Sequence, residues 1–213
     1  MSFFSRLFGP KTGARSRKGP QTLAEQVREL ERRAEGSPLG TRATLLNRAG
    51  DVCMRAGDHQ RALGYFRQAI DLLLEDEQPV PARGVAKKII RVHPETVRTH
   101  CTLTWLDLAT RQHAAAVKSL REYVKAAERR NDFDQAGPQV LEMARITTHK
   151  GFLEEAAEAL EKMGFAQDAE EVVTWLDQGG APEAQWEQEE LRMHCMRSAI
   201  DLRGPPKRDR ATS

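Results

Sequence analysis

TRATLLNRAGDVCMRAGDHQRALGYFRQAIDLLL, residues 41–74, is the stretch that decides the fold, because later parts of the chain repeat its pattern. Leu45, Leu46, Ala49, Val52 and Cys53 recur at intervals of three or four, which places them along one side of a helix. After Gly57-Asp58 the same spacing returns in Ala62, Phe66, Ala69, Ile70 and Leu73. Gly57 suits the left-handed conformation that ends a helix, and the Asp58 carboxylate suits the first free amides of the next one. Each half can bury only one face, so the stretch predicts a hairpin of two helices.

The order of small and large residues, Leu46, Ala49-Gly50, Cys53, then Ala62, Phe66, Ala69, resembles the tetratricopeptide repeat. In that family a large apolar residue, Leu-Gly and an aromatic on one helix face Ala, an aromatic and Ala on the next. Here Leu46 stands for the usual Trp and Cys53 for the usual Tyr, and no Pro closes the unit. The resemblance implies an α-solenoid that binds other proteins on its concave face, and it names no partner.

The chain has 213 residues, enough for one such solenoid with a single core. Apolar residues make up 39% and charged residues 30%, with only 15 Gly, a balance that favours a soluble all-helical protein. No run approaches the roughly 18 apolar residues of a membrane span. The 3 Cys, at 53, 101 and 195, are odd in number and unpaired in spacing, which speaks against a disulfide framework and for a reducing, cytoplasmic setting.

A net charge of +2 conceals a division along the chain: residues 1–20 carry +5, residues 203–213 carry +3, and the body between carries −6. Residues 154–190 hold twelve acids against Lys162 alone. Three segments follow: a basic tail over 1–20, a helical body over 21–202 and a disordered tail over 203–213, too rich in Pro and charge to pack.

Within the first tail, Phe3, Phe4, Leu7 and Phe8 share one side of a short helix stopped by Gly9-Pro10. Three readings stay open: a disordered tail, a peripheral anchor that buries these four in an anionic membrane surface, or an organelle transit peptide. Liposome flotation with and without residues 1–10 separates them, and equal partitioning of the two forms rules out the anchor.

Thr22 and Glu25 form a capping box before the stripe Leu23, Val27, Leu30 and Ala34, a leading helix that ends at Gly36. Pro79-Val-Pro81 stops the repeat hairpin and starts a helix whose Arg83, Lys87 and Arg91, four apart, read as a solvated basic face or as a contact for an acidic partner. A second hairpin follows: Val97, Cys101, Thr104, Trp105 and Leu108, then Val117, Leu120, Tyr123, Val124 and Ala127. Matching it to the first predicts a connecting turn one residue shorter, and Trp105 reads as core. A third hairpin contains Val140, Leu141, Met143 and Ala144, then Ala156, Leu160 and Met163. A further helix carries Phe165 to Leu176. The last begins after Pro182 with Trp186, Met193, Met196 and Ile200, and reads as the helix that closes the end of the solenoid.

The fold expected is therefore all-α: a right-handed α-solenoid of tetratricopeptide-like hairpins, about nine helices, between basic tails. No phosphate-binding glycine loop, nucleophile elbow or HExxH helix occurs, so no enzymatic activity and no cofactor are expected. His100-Cys101 and His194-Cys195 are adjacent pairs, which point about 100° apart on a helix and do not converge on one ion, so no metal is expected either. Nucleic-acid binding through the basic tails is the alternative reading, opposed by the acidic body. The function expected is a protein-binding adaptor or scaffold. Its candidate groove contacts are Asn47, Asp51 and Arg55, the polar positions beside the packing stripe. Neither Asn47 nor Asp51 supplies the Lys of a terminal-carboxylate clamp. Glu154, Glu158, Glu161, Glu170 and Glu171 form a second surface, for a basic partner.

Overall fold

The computed structural model describes residues 22–201, and the segment holding Phe3, Phe4, Leu7 and Phe8 lies outside them. All regular elements among the described residues are helical: α1 (Leu23–Ala34), α2 (Leu39–Arg55), α3 (His59–Glu75), α4 (Pro79–Val92), α5 (Val97–Ala109), α6 (His113–Arg130), α7 (Phe133–Arg145), α8 (Lys150–Met163), α9 (Ala166–Gln178) and α10 (Gln188–Asp201). That is ten, against the nine or so expected, with a 3-10 turn at Pro182–Gln185 besides.

Local chemistry sets several boundaries. The Thr22 hydroxyl accepts from the Glu25 amide at 3.2 Å while the Glu25 carboxylate accepts from the Thr22 amide at 2.8 Å, which fixes the start of α1. Gly57 takes φ 75°, and Asp58 Oδ1 accepts from the Arg61 amide at 3.0 Å, so the first hairpin turns as its residues predict. The α5–α6 turn is not shorter than this one. Both span three residues, 56–58 and 110–112, because Arg111 adopts φ 53° where the first hairpin has glycine, a conformation that costs an L-residue about 1 kcal/mol.

From α1 to α9 each helix packs against the next, and α8 rests on both α6 and α7. Side chains meet repeatedly at a separation of 34 residues: Glu31 with Tyr65, Trp105 with Gln139, Arg121 with Glu155, and Glu128 with Lys162. The first of these ties α1 to α3, with Arg61 Nε donating to the Tyr65 hydroxyl at 3.0 Å. Burial, followed by the hydrogen bond to Glu31, pushes the Tyr65 phenol up to about 12.

The alanines that precede large residues at helical spacing are enclosed between helices. Ala62, Ala82, Ala116 and Ala156 are fully buried, as are Phe66, Leu120 and Leu160. A Cβ on Gly50 would overlap the Phe66 ring, and one on Gly137 would overlap the Phe165 ring, so α2 and α7 each accept an aromatic against bare backbone.

α5 is the centre of the molecule. Every residue from Thr99 to Ala109 is buried, which requires cover on all sides. The cover on one side is α10. It lies chiefly on α5, with a smaller contact to α3, instead of closing the end beyond α9 as its place in the sequence suggested. The stretch after Pro182 also starts its helix later than expected. The 3-10 turn intervenes, and the Glu187 amide donates to the Glu190 carboxylate at 3.3 Å to begin α10, leaving Trp186 outside the helical stripe.

Candidate functional site: the face of α5 beneath the C-terminal helix

The expected groove contacts are partly taken up within the chain. Asn47 and Asp51 point from α2 toward α4, where Lys88 Nζ donates to Asn47 Oδ1 at 2.9 Å and to both Asp51 oxygens at 2.6 and 2.8 Å. The same ammonium sits 5.3 Å from the centroid of the Phe66 ring. This half-exposed clasp contributes on the order of 1 kcal/mol to the α2–α4 contact. Arg55 is exposed near the end of α2.

The expected basic face is not one face. Lys87 and Arg91 are exposed, but Arg83 turns inward. Its guanidinium pairs with the Asp107 carboxylate, which is 1% exposed and also accepts from the Ser119 hydroxyl at 2.6 Å. The reason is the packing of α4 on α5, which brings a lone acid inside a run without other charge opposite the first of three evenly spaced cations.

The acidic residues stay at the surface. Glu154, Glu158 and Glu161 on α8, and Glu170 and Glu171 on α9, are all exposed. Lys150 reaches Glu154 at 3.6 Å. Among the described residues, the other four carboxylates have no cation within salt-bridge distance.

The polar chemistry gathers instead around α5. Gln139 of α7 accepts from Trp105 Nε1 at 3.0 Å and lies 3.8 Å from the Cys101 sulfur. The His194 ring of α10 meets Trp105 edge-on at 5.9 Å and meets Trp186 at 5.6 Å. His194 Nε2 is buried with no hydrogen-bond partner. Burial pushes the thiols of Cys101 and Cys195 up to about 12, and raises that of Cys53, so all three stay protonated, the opposite of what a nucleophile or metal ligand needs.

At the end of α5 the His113 and His149 rings stack at 4.9 Å. His149 Nδ1 accepts from the Phe152 amide at 3.2 Å and so caps α8. His113 Nδ1 is buried without a partner, and burial, then His149, then Arg111 hold its pKa below the usual histidine value. Among the described residues no group of three or more His, Cys, Asp or Glu is arranged to hold a metal ion, and no helix is long and apolar enough to cross a membrane.

Sequence reasoning missed Gln139, the Asp107–Ser119 pair and the Trp105–His194–Trp186 contact. A signal existed for the Asp107–Ser119 pair: residues 99–106 carry no Asp, Glu, Lys or Arg, the mark of a helix buried all round, and an acid just beyond such a run must find a partner. No protein family, no curated protein and no solved structure matches this chain.

Proposed function

We propose that the protein is a non-enzymatic adaptor, a right-handed tetratricopeptide-like solenoid that holds segments of other proteins. The observation that carries this reading is the recurrence of side-chain contacts across 34 residues, from α1–α3 through α5–α7 to α6–α8. Units stacked at a constant interval offer one long surface, because each unit is rotated slightly on its neighbour. The polar groups Asp107 and Gln139, packed around α5, have internal partners: Asp107 holds Arg83 and Ser119, and Gln139 holds Trp105.

Two surfaces suit this role in a cytoplasmic adaptor. The α2 surface around Arg55 would take a peptide or helix, with Asn47 and Asp51 held in place by Lys88. The exposed carboxylates of α8 and α9 would take a basic segment, since unpaired surface charge steers and orients an oppositely charged partner.

The acidic surface gives the direct test. A lysine- and arginine-rich peptide titrated into the full chain by calorimetry is expected to bind, more weakly as salt is raised. Changing Glu158, Glu161, Glu170 and Glu171 together to Lys is expected to weaken it by about a hundredfold. Binding that is indifferent to both changes would refute the acidic surface.

A further inference from the structure

Between α3 and the first turn of α5 lies a solvent-accessible recess of about 300 Å³, lined by Arg67, Ile70, Thr96, Arg98, Thr99 and Thr102. Its two arginines come from different helices. Among the described residues, neither guanidinium has a carboxylate within salt-bridge distance. Burial lowers the Arg98 pKa from its ordinary value, Asp71 of α3 raises it, and Arg67 lowers it. Two like charges are thus held near one another at a partly dehydrated place.

The hydroxyl groups of α5 add a second observation. Those of Thr102, Thr104 and Thr110 donate to the carbonyls of Arg98, His100 and Leu106, four residues back. Thr99 is only 9% exposed, yet its hydroxyl bonds to no described residue. A polar group so enclosed ordinarily has a partner, and the recess that Thr99 lines is where one would sit. The start of α5 is also without a capping side chain. Thr96 Oγ1 donates to the His93 carbonyl at 3.1 Å instead, which leaves the first amides of the helix, at the positive end of its dipole, without a side-chain acceptor.

We propose that this recess binds a phosphate monoester dianion, held between the guanidinium groups of Arg67 and Arg98, the Thr99 hydroxyl and the first amides of α5. Two unpaired guanidinium groups balance a charge of about −2, and their donor forks fit phosphate oxygens in pairs. Hydroxyl and amide donors besides exceed what the two oxygens of a carboxylate can accept, whereas a phosphate monoester offers three. The site does not depend on the adaptor reading, and the carboxylates of α8 and α9 play no part in it.

Calorimetry on the full chain tests the proposal with inorganic phosphate and with a short peptide carrying phosphoserine, glutamate or serine at its centre, at constant chloride. Inorganic phosphate and the phosphoserine peptide are expected to bind, and the glutamate and serine peptides to bind at least about tenfold more weakly than the phosphoserine form. Arg67→Ala and Arg98→Ala should each weaken phosphate binding by about tenfold or more, and Thr99→Val by a smaller factor. Arg48→Ala, which removes an exposed cation of α2, should leave it unchanged, and circular dichroism should show the same helix content in all four variants. Affinity should fall as pH is lowered through about 6, where the dianion takes up a proton while both arginines stay charged. Tighter binding of the phosphopeptide than of inorganic phosphate would place the group on a protein segment, and the reverse order would place it on a small molecule; either order upholds the site. Failure of both phosphates to bind, a glutamate peptide as tight as the phosphopeptide, an Arg48→Ala loss equal to that of Arg98→Ala, or an affinity indifferent to pH would overturn it.

Discussion

Arg83→Ala is expected to destabilise the protein by about 3–5 kcal/mol, measured by urea or thermal unfolding. The reason lies in what the substitution leaves behind. The Asp107 carboxylate is 1% exposed, and without the guanidinium only the Ser119 hydroxyl at 2.6 Å remains to it. A charge so enclosed is not recovered by water, so the loss exceeds the modest value of the pair itself. Arg83→Met keeps the apolar stem and isolates the charge effect, and it should cost nearly as much as alanine. Adding Asp107→Leu to Arg83→Met should recover a large part of the loss, since an apolar pair needs no counter-charge. If Arg83→Ala instead unfolds at the denaturant concentration of the unaltered chain, the inward pair does not hold α4 to α5.

Trp105→Ala is expected to cost about 3–5 kcal/mol, the usual price of emptying a fully enclosed aromatic site. Trp105 is 0% exposed and joins three elements: α5 itself, α7 through the 3.0 Å bond to Gln139, and α10 through the His194 ring. The neighbours cannot all collapse into the space, because Gln139 and His194 approach it from different helices. Trp105→Phe keeps most of the volume and forfeits the indole N–H, so a smaller loss of about 1–2 kcal/mol is expected. Denaturation followed by far-ultraviolet circular dichroism gives both values. Hydrogen exchange adds a spatial readout, since α10, held by fewer buried side chains than α5, should lose protection first in Trp105→Ala. A variant as stable as the parent would mean that Trp105 is not the centre of the core.

How much of this was open to inspection in the sequence depends on the range of the interaction concerned. The intervals of three and four in residues 41–74, the capping pair Thr22 and Glu25, and the Gly57-Asp58 turn act within a few residues of themselves, and the structure keeps them as read. Ala62 and Ala156, each four before a large apolar residue, read as positions on a packed face, and both are fully buried. The turn at Arg111 was misread because a non-glycine residue in the left-handed conformation leaves no mark on composition.

What the sequence by itself determined is that this chain is helical, in hairpins, with small residues at the contacts and an acidic stretch near its end; those are properties of spacing and local geometry. Tertiary structure alone decided which way each polar side chain faces. Asn47 and Asp51 meet Lys88 across 41 and 37 residues, Arg83 meets Asp107 across 24, and α10 returns to α5 instead of closing the far end. A cation four residues from the next one on a helix looks the same in the sequence whether it meets water or a buried carboxylate, and the difference arises only when a distant helix is laid against it.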